Sequence, residues 1–374
     1  MSRPEALAIE PLLPISAEPQ DAYTLPSELY TDESVFGREK EAILYRHWHY
    51  AGHVSMVENA GDYLTAQIAD ESVFVIRGQD GELRGFYNVC RHRAHQLVEG
   101  SGNKKNIVCP YHAWSYAQTG ELQHARNSER IPGFDKSRFC LVAIRVEVMC
   151  GIIFINLDSE AQSLVSQAAD FEADLREHIP NIETLRVTGA TTFGSATIAA
   201  NWKVVVDNFL ECYHCANAHP AFAELIEMPD YRLDTFDLWS RQLGPKVNPQ
   251  NTAYEFRPDA PVQKGLFWYL WPTTTITVMP GEENVTVLSI LPSGIDHCFF
   301  SGHRLGYEEG ESDPAWDYIN EILGPEDTDL CESVQRGLRS RSYNQGKFIA
   351  DAERSGLGEH AVHHFHRLVM DALG

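Results

Sequence analysis

No apolar run in the 374-residue chain approaches the roughly 18–20 residues that a membrane-spanning helix requires; the longest, such as Gly151 to Leu157, are strand-sized. Nor does the N-terminus, Met1-Ser-Arg-Pro-Glu-Ala6, carry a basic region followed by an apolar segment, which argues against a signal peptide. Basic residues are in short supply. Thirty Lys and Arg against 53 Asp and Glu leave a net charge of −23, a field that repels phosphate backbones and anionic lipid. Nucleic acid and membrane are therefore set aside as partners, and a cytoplasmic, soluble protein is expected. Eight cysteines at uneven spacing are too few for a disulfide scaffold and read as metal ligands or small core residues.

What is present is an ordinary globular composition, 43% apolar, with a length that suits about two domains. Residues 1–44 are rich in Pro, Glu and Ser and read as an arm that gains order by packing on the catalytic domain. From Arg46 the pattern turns to short strands. Tyr63 to Ala69 alternates, Ser72 to Arg77 is apolar, Gln79-Asp-Gly-Glu82 is a hairpin turn, and Leu83 to Val89 returns. Residues 45–158 thus read as a small all-β domain. Residues 159–374 read as a second, α+β domain. Its expected pieces are a helix over Ala161–His178, a strand over Leu185–Ala199 and a helix from Asn201 to about Ala218. Long strands follow over Gly265–Val278 and Asn284–Leu291, then helices over Asp313–Leu323, Asp327–Arg341 and His360–Leu373.

Two constellations carry chemistry. Cys90-Arg-His92 is followed, after sixteen residues, by Cys109-Pro-Tyr-His112, so each of two loops offers one thiolate and one imidazole. Tetrahedral zinc is one occupant; a [2Fe–2S] cluster with both cysteines on one iron and both histidines on the other is the alternative. Zinc fingers usually separate cysteines from histidines and precede a helix, whereas here both halves are mixed and lie in a β context. The second constellation is Asp207-x3-Glu211-x2-His214-x4-His219. Two imidazoles and one carboxylate on one side of ferrous iron leave positions open for O2 and a substrate or water.

Together these patterns resemble the Rieske non-heme iron oxygenases, over nearly the whole chain from about residue 25. The resemblance implies an N-terminal all-β Rieske domain that carries the [2Fe–2S] cluster on Cys90, His92, Cys109 and His112. It also implies an α+β catalytic domain of helix-grip, START-like form, with an antiparallel sheet. Its mononuclear Fe(II) would be held by His214, His219 and a C-terminal aspartate. Asp327 stands at the matching position, with Glu326 and Asp329 as competitors. In the family an acid at position 211 bonds an iron-ligand histidine of its own chain and a cluster-ligand histidine of the next subunit in a trimer. Most ring hydroxylases have Asp there; the longer Glu211 is similar to the branch acting on quaternary ammonium compounds, glycine betaine, carnitine and proline betaine among them.

The activity this implies is the oxygenase component of a two-component monooxygenase. Electrons would come from NAD(P)H through a separate ferredoxin-type flavin reductase, and O2-dependent hydroxylation would lead to N-demethylation of a small betaine-like substrate. Aromatic-ring hydroxylation is the runner-up, and a Rieske electron carrier without oxygenase activity belongs to another class. A trimethylammonium group needs aromatic faces, and Phe267, Trp268, Tyr269 and Trp271 are offered for them. A betaine carboxylate would need a basic or amide partner, on which the sequence is silent. Arg91, Arg93, Lys104 and Lys105 make the cluster loops basic on an acidic protein and are candidates for reductase docking. Cys212 and Cys215 flank His214 and read as buried cysteines beside the iron, with a redox dithiol or a zinc site as alternatives. His360, His363, His364 and His366 read as internal packing and polar caps, with a metal patch as the alternative.

Overall fold

The computed structural model describes residues 13, 15–191, 197–307, 314–352, 354 and 356–374. The chain divides into two compact units, one of residues 44–187 and one that joins residues 188–374 to the N-terminal segment up to residue 43. The boundary expected at 158/159 therefore falls nearly thirty residues later. The reason is local: Ser163 Oγ donates to Glu147 Oε2 (2.9 Å) and Trp48 Nε1 donates to the carbonyl of Gln162 (3.0 Å). These bonds tie the helices Leu164–Gln167 and Ala169–His178 to the β unit.

The unit of residues 44–187 is built on a seven-stranded antiparallel sheet and a three-stranded sheet. In the larger sheet Asp62–Ile68, Glu71–Arg77 and Leu83–Tyr87 form a meander, with Val73 to Ile76 fully buried. The hairpin of Ala143–Met149 and Ile152–Asn156 turns on Cys150 and Gly151, both at positive φ (52° and 79°). Ile107–Val108, Ser115–Tyr116 and Leu122–His124 make the small sheet.

In the other unit an antiparallel sheet runs in the order Arg232–Thr235, Trp239–Gly244, Gly265–Leu270, Thr274–Val278, Val285–Gly294 and His297–Gly306. The sequence pattern joined Gly265–Val278 into one strand. It is a hairpin instead, because Pro272 has no N–H to give a ladder and the chain reverses around Trp271-Pro272. The expected helix Asn201–Ala218 stops at Phe209 and resumes at Cys215–Ala218. The two helices expected on either side of Gly324 are one helical stretch: Pro314–Tyr318, a π turn over Ile319–Leu323, then Gly324–Leu338. Pro325 stands at the second residue after the π turn, where the hydrogen-bonding register changes; Asp313 lies outside the described residues. Of the strand expected at Leu185–Ala199, Arg186–Thr191 is a strand, residues 192–196 lie outside the described residues, and Ile198 makes a single bridge to Cys298.

The helix His360–Leu373 covers the sheet with Phe365, whose ring meets Trp202, Tyr269 and Trp271 at 5.7–5.8 Å. Below it is a buried polar knot. Lys203 Nζ donates to Glu39 Oε1 (2.5 Å) and to Asn201 Oδ1 (2.8 Å), and Trp202 Nε1 donates to Glu39 Oε2 (3.0 Å). Both charges are fully buried, so each exists only through the other. Glu39→Gln leaves the ammonium uncompensated and should cost about 3–5 kcal/mol of stability, read as a lower urea midpoint. An unchanged midpoint would show that the pair does not hold the N-terminal segment in place.

Candidate metal centres

The two cysteine–histidine loops close in the same way. Cys90 N–H donates to the His95 carbonyl (2.8 Å) and Ala94 N–H returns to the Cys90 carbonyl (3.0 Å). Cys109 N–H donates to the Trp114 carbonyl (2.8 Å) and Ala113 N–H returns to the Cys109 carbonyl (3.0 Å). Ala94 and Ala113 share the same left-handed conformation, φ 56°. Two loops with one geometry thus present one sulfur and one imidazole each. Cys90 and Cys109 are buried, while His92 is exposed and stacks on Trp114 (4.7 Å, 8°) with His112 edge-on to it (4.6 Å). The two sulfurs thus lie inside and the two imidazoles nearer the surface. Tyr116 Oη accepts from the Arg91 N–H (3.0 Å), which leaves its own O–H to donate to Cys90 Sγ (3.3 Å).

Fit to a cluster rests on two features. His112 Nδ1 is buried without a hydrogen-bond partner, as a nitrogen that ligates a metal would be. Burial pushes the Cys109 thiol above its usual range, so a thiolate at this depth needs a metal's charge beside it. Arg91, Arg93, Lys104 and Lys105 are all exposed, with the Arg93 guanidinium 5.4 Å from the centre of the Tyr111 ring.

The second centre is assembled from a broken helix and a π turn. After Phe209 the Glu211 carboxylate accepts the backbone N–H groups of Tyr213 and His214, which folds the chain into a turn. Its other oxygen meets His214 Nδ1 at 2.5 Å. Pro220 then fixes the start of the next helix just after His219. On the other side, Asp327 lies in the first turn after the π segment, a device that re-aims side chains and recurs at functional sites. His219 Nε2 is 2.8 Å and His214 Nε2 3.6 Å from Asp327 Oδ1. Donor atoms of His214, His219 and Asp327 all lie within 4.8 Å of one another. Glu326, a competitor for the ligand position, bonds His219 Nδ1 instead (2.7 Å). Asp329 is not part of the group. Each imidazole is thus oriented by a carboxylate on Nδ1 and turns Nε2 inward, as metal-ligating histidines do.

The carboxylates around the two imidazoles draw positive charge to the site. Burial disfavours an imidazolium at His214, yet Asp327 and Glu211 outweigh it and lift its pKa to about 10. His219 is raised against its own burial, mainly by Asp327. Asp327 is held below its usual value by the two rings although burial opposes it. Three carboxylates facing two imidazoles suit a divalent cation.

One turn before Glu211, Asp207 accepts from Tyr30 Oη (2.7 Å) and His366 Nε2 (2.9 Å). The Leu25 N–H donates to His366 Nδ1 (3.1 Å), which assigns the ring proton to Nε2. His360 and His363 reach the carbonyls of Asp351 and Ser16, so these C-terminal histidines serve separate polar contacts. Cys212 and Cys215 are buried as expected but are joined as a disulfide around His214, the oxidised form of the dithiol alternative, because a turn of this tightness brings their Cα atoms to 4.9 Å.

A cavity of about 130 Å³ borders His214, His219 and Asp327. Phe267 lines it. Trp268, Tyr269 and Trp271 do not: Tyr269 and Trp271 pack on Phe365 in the core, and Trp268, one residue along from Phe267, points to the opposite face of the strand. The other aromatic walls are Phe209, Phe222, Tyr231 and Phe300, from elements scattered over ninety residues. Phe209 could have been found from its place beside the motif; no local pattern singles out Phe300.

A β unit with twin cysteine–histidine loops, and an α+β unit with a His–His–Asp face beside an apolar cavity, define an oxygenase that moves electrons from a cluster to a single iron. Residues 47–135 match the Rieske [2Fe-2S] domain, and residues 173–374 match the ring hydroxylating alpha subunit (catalytic domain). The chain is 39% identical over 361 residues to the carnitine monooxygenase oxygenase subunit of Escherichia coli (strain K12), covering 94% of each. It is 29% identical to the chloroplastic choline monooxygenase of Beta vulgaris, covering 93% of this chain and 76% of that protein. Among solved structures, a quaternary ammonium Rieske monooxygenase studied for carnitine oxidation and inter-subunit electron transfer superposes with a TM-score of 0.89 at 35% identity, over 97% of this chain and 99% of that one. The chain belongs to the Rieske non-heme iron oxygenases, with a [2Fe–2S] cluster and a mononuclear iron as its cofactors. The electron-carrier alternative is thereby excluded. No helix among the described residues is long and apolar enough to cross a membrane.

His219→Ala should remove the mononuclear iron and leave the two cluster irons and the cluster's visible absorption in place. Iron content equal to that of the unaltered protein would take His219 out of the ligand set.

Proposed function

We propose that the chain is the oxygenase component of a two-component monooxygenase that N-demethylates a quaternary ammonium compound. The observation that carries this reading is the cavity wall. Five aromatic rings stand around a small space beside the His–His–Asp group, and a trimethylammonium ion, which has no hydrogen to donate, is bound by such faces. Two carboxylates, Glu211 and Asp327, also border the space and favour a cation. Likeness to carnitine and choline monooxygenases supports the same class.

In this reading Cys90 and Cys109 hold one cluster iron and His92 and His112 the other, while His214, His219 and Asp327 hold the mononuclear iron. Bound there, iron supplies O2 activation with electrons delivered singly from the cluster. Phe209, Phe222, Tyr231, Phe267 and Phe300 seat the ammonium head and keep water from it. Glu211 orients His214 and reaches toward His112 of a neighbouring chain in a homotrimer. A ferredoxin-type flavin reductase using NAD(P)H docks near Arg91, Arg93, Lys104 and Lys105. Once a methyl carbon beside the nitrogen carries a hydroxyl, its C–N bond breaks with the electron pair staying on nitrogen and the hydroxyl proton passing to solvent, so that formaldehyde leaves and the tertiary amine remains.

The test offers the iron-loaded protein, with a compatible reductase, NADH and air, a panel of betaines, carnitine, choline and simple aromatic acids. Formaldehyde stoichiometric with one quaternary ammonium substrate is expected. A hydroxylated ring with no formaldehyde would overturn the demethylation and favour ring hydroxylation.

A further inference from the structure

The cavity that borders the metal ligands has a second, polar end, and its character sets which quaternary ammonium compounds fit. Gln242, Phe267, Thr277 and Thr286 are successive cross-strand partners on four adjacent strands, so their side chains form one row on one face of the sheet. All four line the cavity. The row passes from amide to aromatic ring to two hydroxyls.

Most polar groups in this wall are already committed. Gln242 Nε2 donates to the Phe209 carbonyl (2.6 Å), and its Oε1 accepts from Tyr231 Oη (3.2 Å), so its role is to hold two aromatic walls in place. Thr328 Oγ1 donates to the Gly324 carbonyl (2.8 Å), and Thr275 Oγ1 is turned to the Leu288 carbonyl (3.5 Å). Asn208 belongs to the segment that carries the ligands, beside Glu211. Thr277 and Thr286 are different: among the described residues neither hydroxyl has a hydrogen-bond partner. Two neighbouring hydroxyls facing a cavity without partners are a place where a ligand's oxygen can be received.

Among the described residues the wall holds no Lys or Arg. The next position in the row, opposite Thr286, is Arg304, but its Nε donates to Thr188 Oγ1 (3.1 Å) and the residue does not line this cavity. We infer that Thr277 and Thr286 form the subsite that receives the oxygen-bearing end of the substrate, a carboxylate or hydroxyl carried away from the ammonium head, by neutral hydrogen bonds with no counter-ion. This rests on the quaternary ammonium reading above and names the residues that discriminate within that class. Hydroxyls that either donate or accept serve a carboxylate and an alcohol alike, so the site selects for a polar tail more than for its charge.

The experiment is equilibrium binding by calorimetry on the iron-loaded protein, with carnitine, choline and tetramethylammonium as probes. Thr277→Val and Thr286→Val keep the shape and the β-branched side chain and delete only the hydroxyl; Thr277→Ser restores it. The ratio of carnitine to tetramethylammonium affinity should fall about tenfold in each valine variant and recover in the serine variant, and the choline ratio should follow the same course. A ratio unchanged in both valine variants overturns the subsite. So does a loss shared equally by all three probes, since a disturbed cavity would do that. Probes that bind with the expected ratios while no formaldehyde is released would sink the demethylation and leave the subsite standing; formaldehyde release with unchanged ratios would do the reverse.

Discussion

The Glu211 carboxylate does two things at once, and the catalytic unit is arranged around them. One oxygen accepts the N–H groups of Tyr213 and His214 and ends the helix Trp202–Phe209; the other holds the His214 ring at Nδ1. A continued helix would place His214 and His219, five positions apart, on different faces. The turn lets them converge, with their rings 5.1 Å apart and nearly perpendicular, over Asp327. The acid that shapes the backbone is therefore also the acid that fixes the imidazole. Glu326 repeats the second role for His219 from the opposite helix.

Charge follows the same economy. A chain with a net charge of −23 gathers three carboxylates around His214 and His219 and exposes Arg91, Arg93, Lys104 and Lys105 on the cysteine–histidine loops. The buried charge of Lys203 is matched by Glu39, and half-buried Asp207 is held by two donors, Tyr30 and His366. Those contacts tie the N-terminal segment and the last helix to the element that leads into Glu211. The cavity beside the His–His–Asp group is lined by aromatic rings, hydroxyls and the site's own carboxylates, with no Lys or Arg among its described lining residues.

Much of this was legible in the sequence because ligand chemistry constrains residue type and spacing locally. The twin cysteine–histidine loops and the Glu211–His214–His219 spacing are short-range patterns, and the geometry brings each group together. The strands before Tyr87 were equally readable, since alternation and a Gly81 turn mark them. Illegible features depend on partners far away in sequence. The reversal at Trp271-Pro272 hid inside an aromatic run that reads as one strand. The π turn at Ile319–Leu323 leaves no local signature, so one helix was read as two. An aromatic strand signals a wall but not which ring faces the cavity: of four candidates only Phe267 lines it. Its companions Phe222, Tyr231 and Phe300 come from elements that meet only through the sheet and the broken helix.

Under the proposed function Glu211 couples the two metal centres, and a Gln in its place, which keeps an oxygen for the Tyr213 and His214 N–H groups, should leave both metals bound. Single-turnover oxidation of the reduced cluster by O2, in the presence of substrate, compares the unaltered protein with Glu211→Gln most directly. The account predicts full iron content in the variant and cluster oxidation slowed by about 10–100-fold. Cluster oxidation at the unaltered rate, with all iron in place, would contradict it.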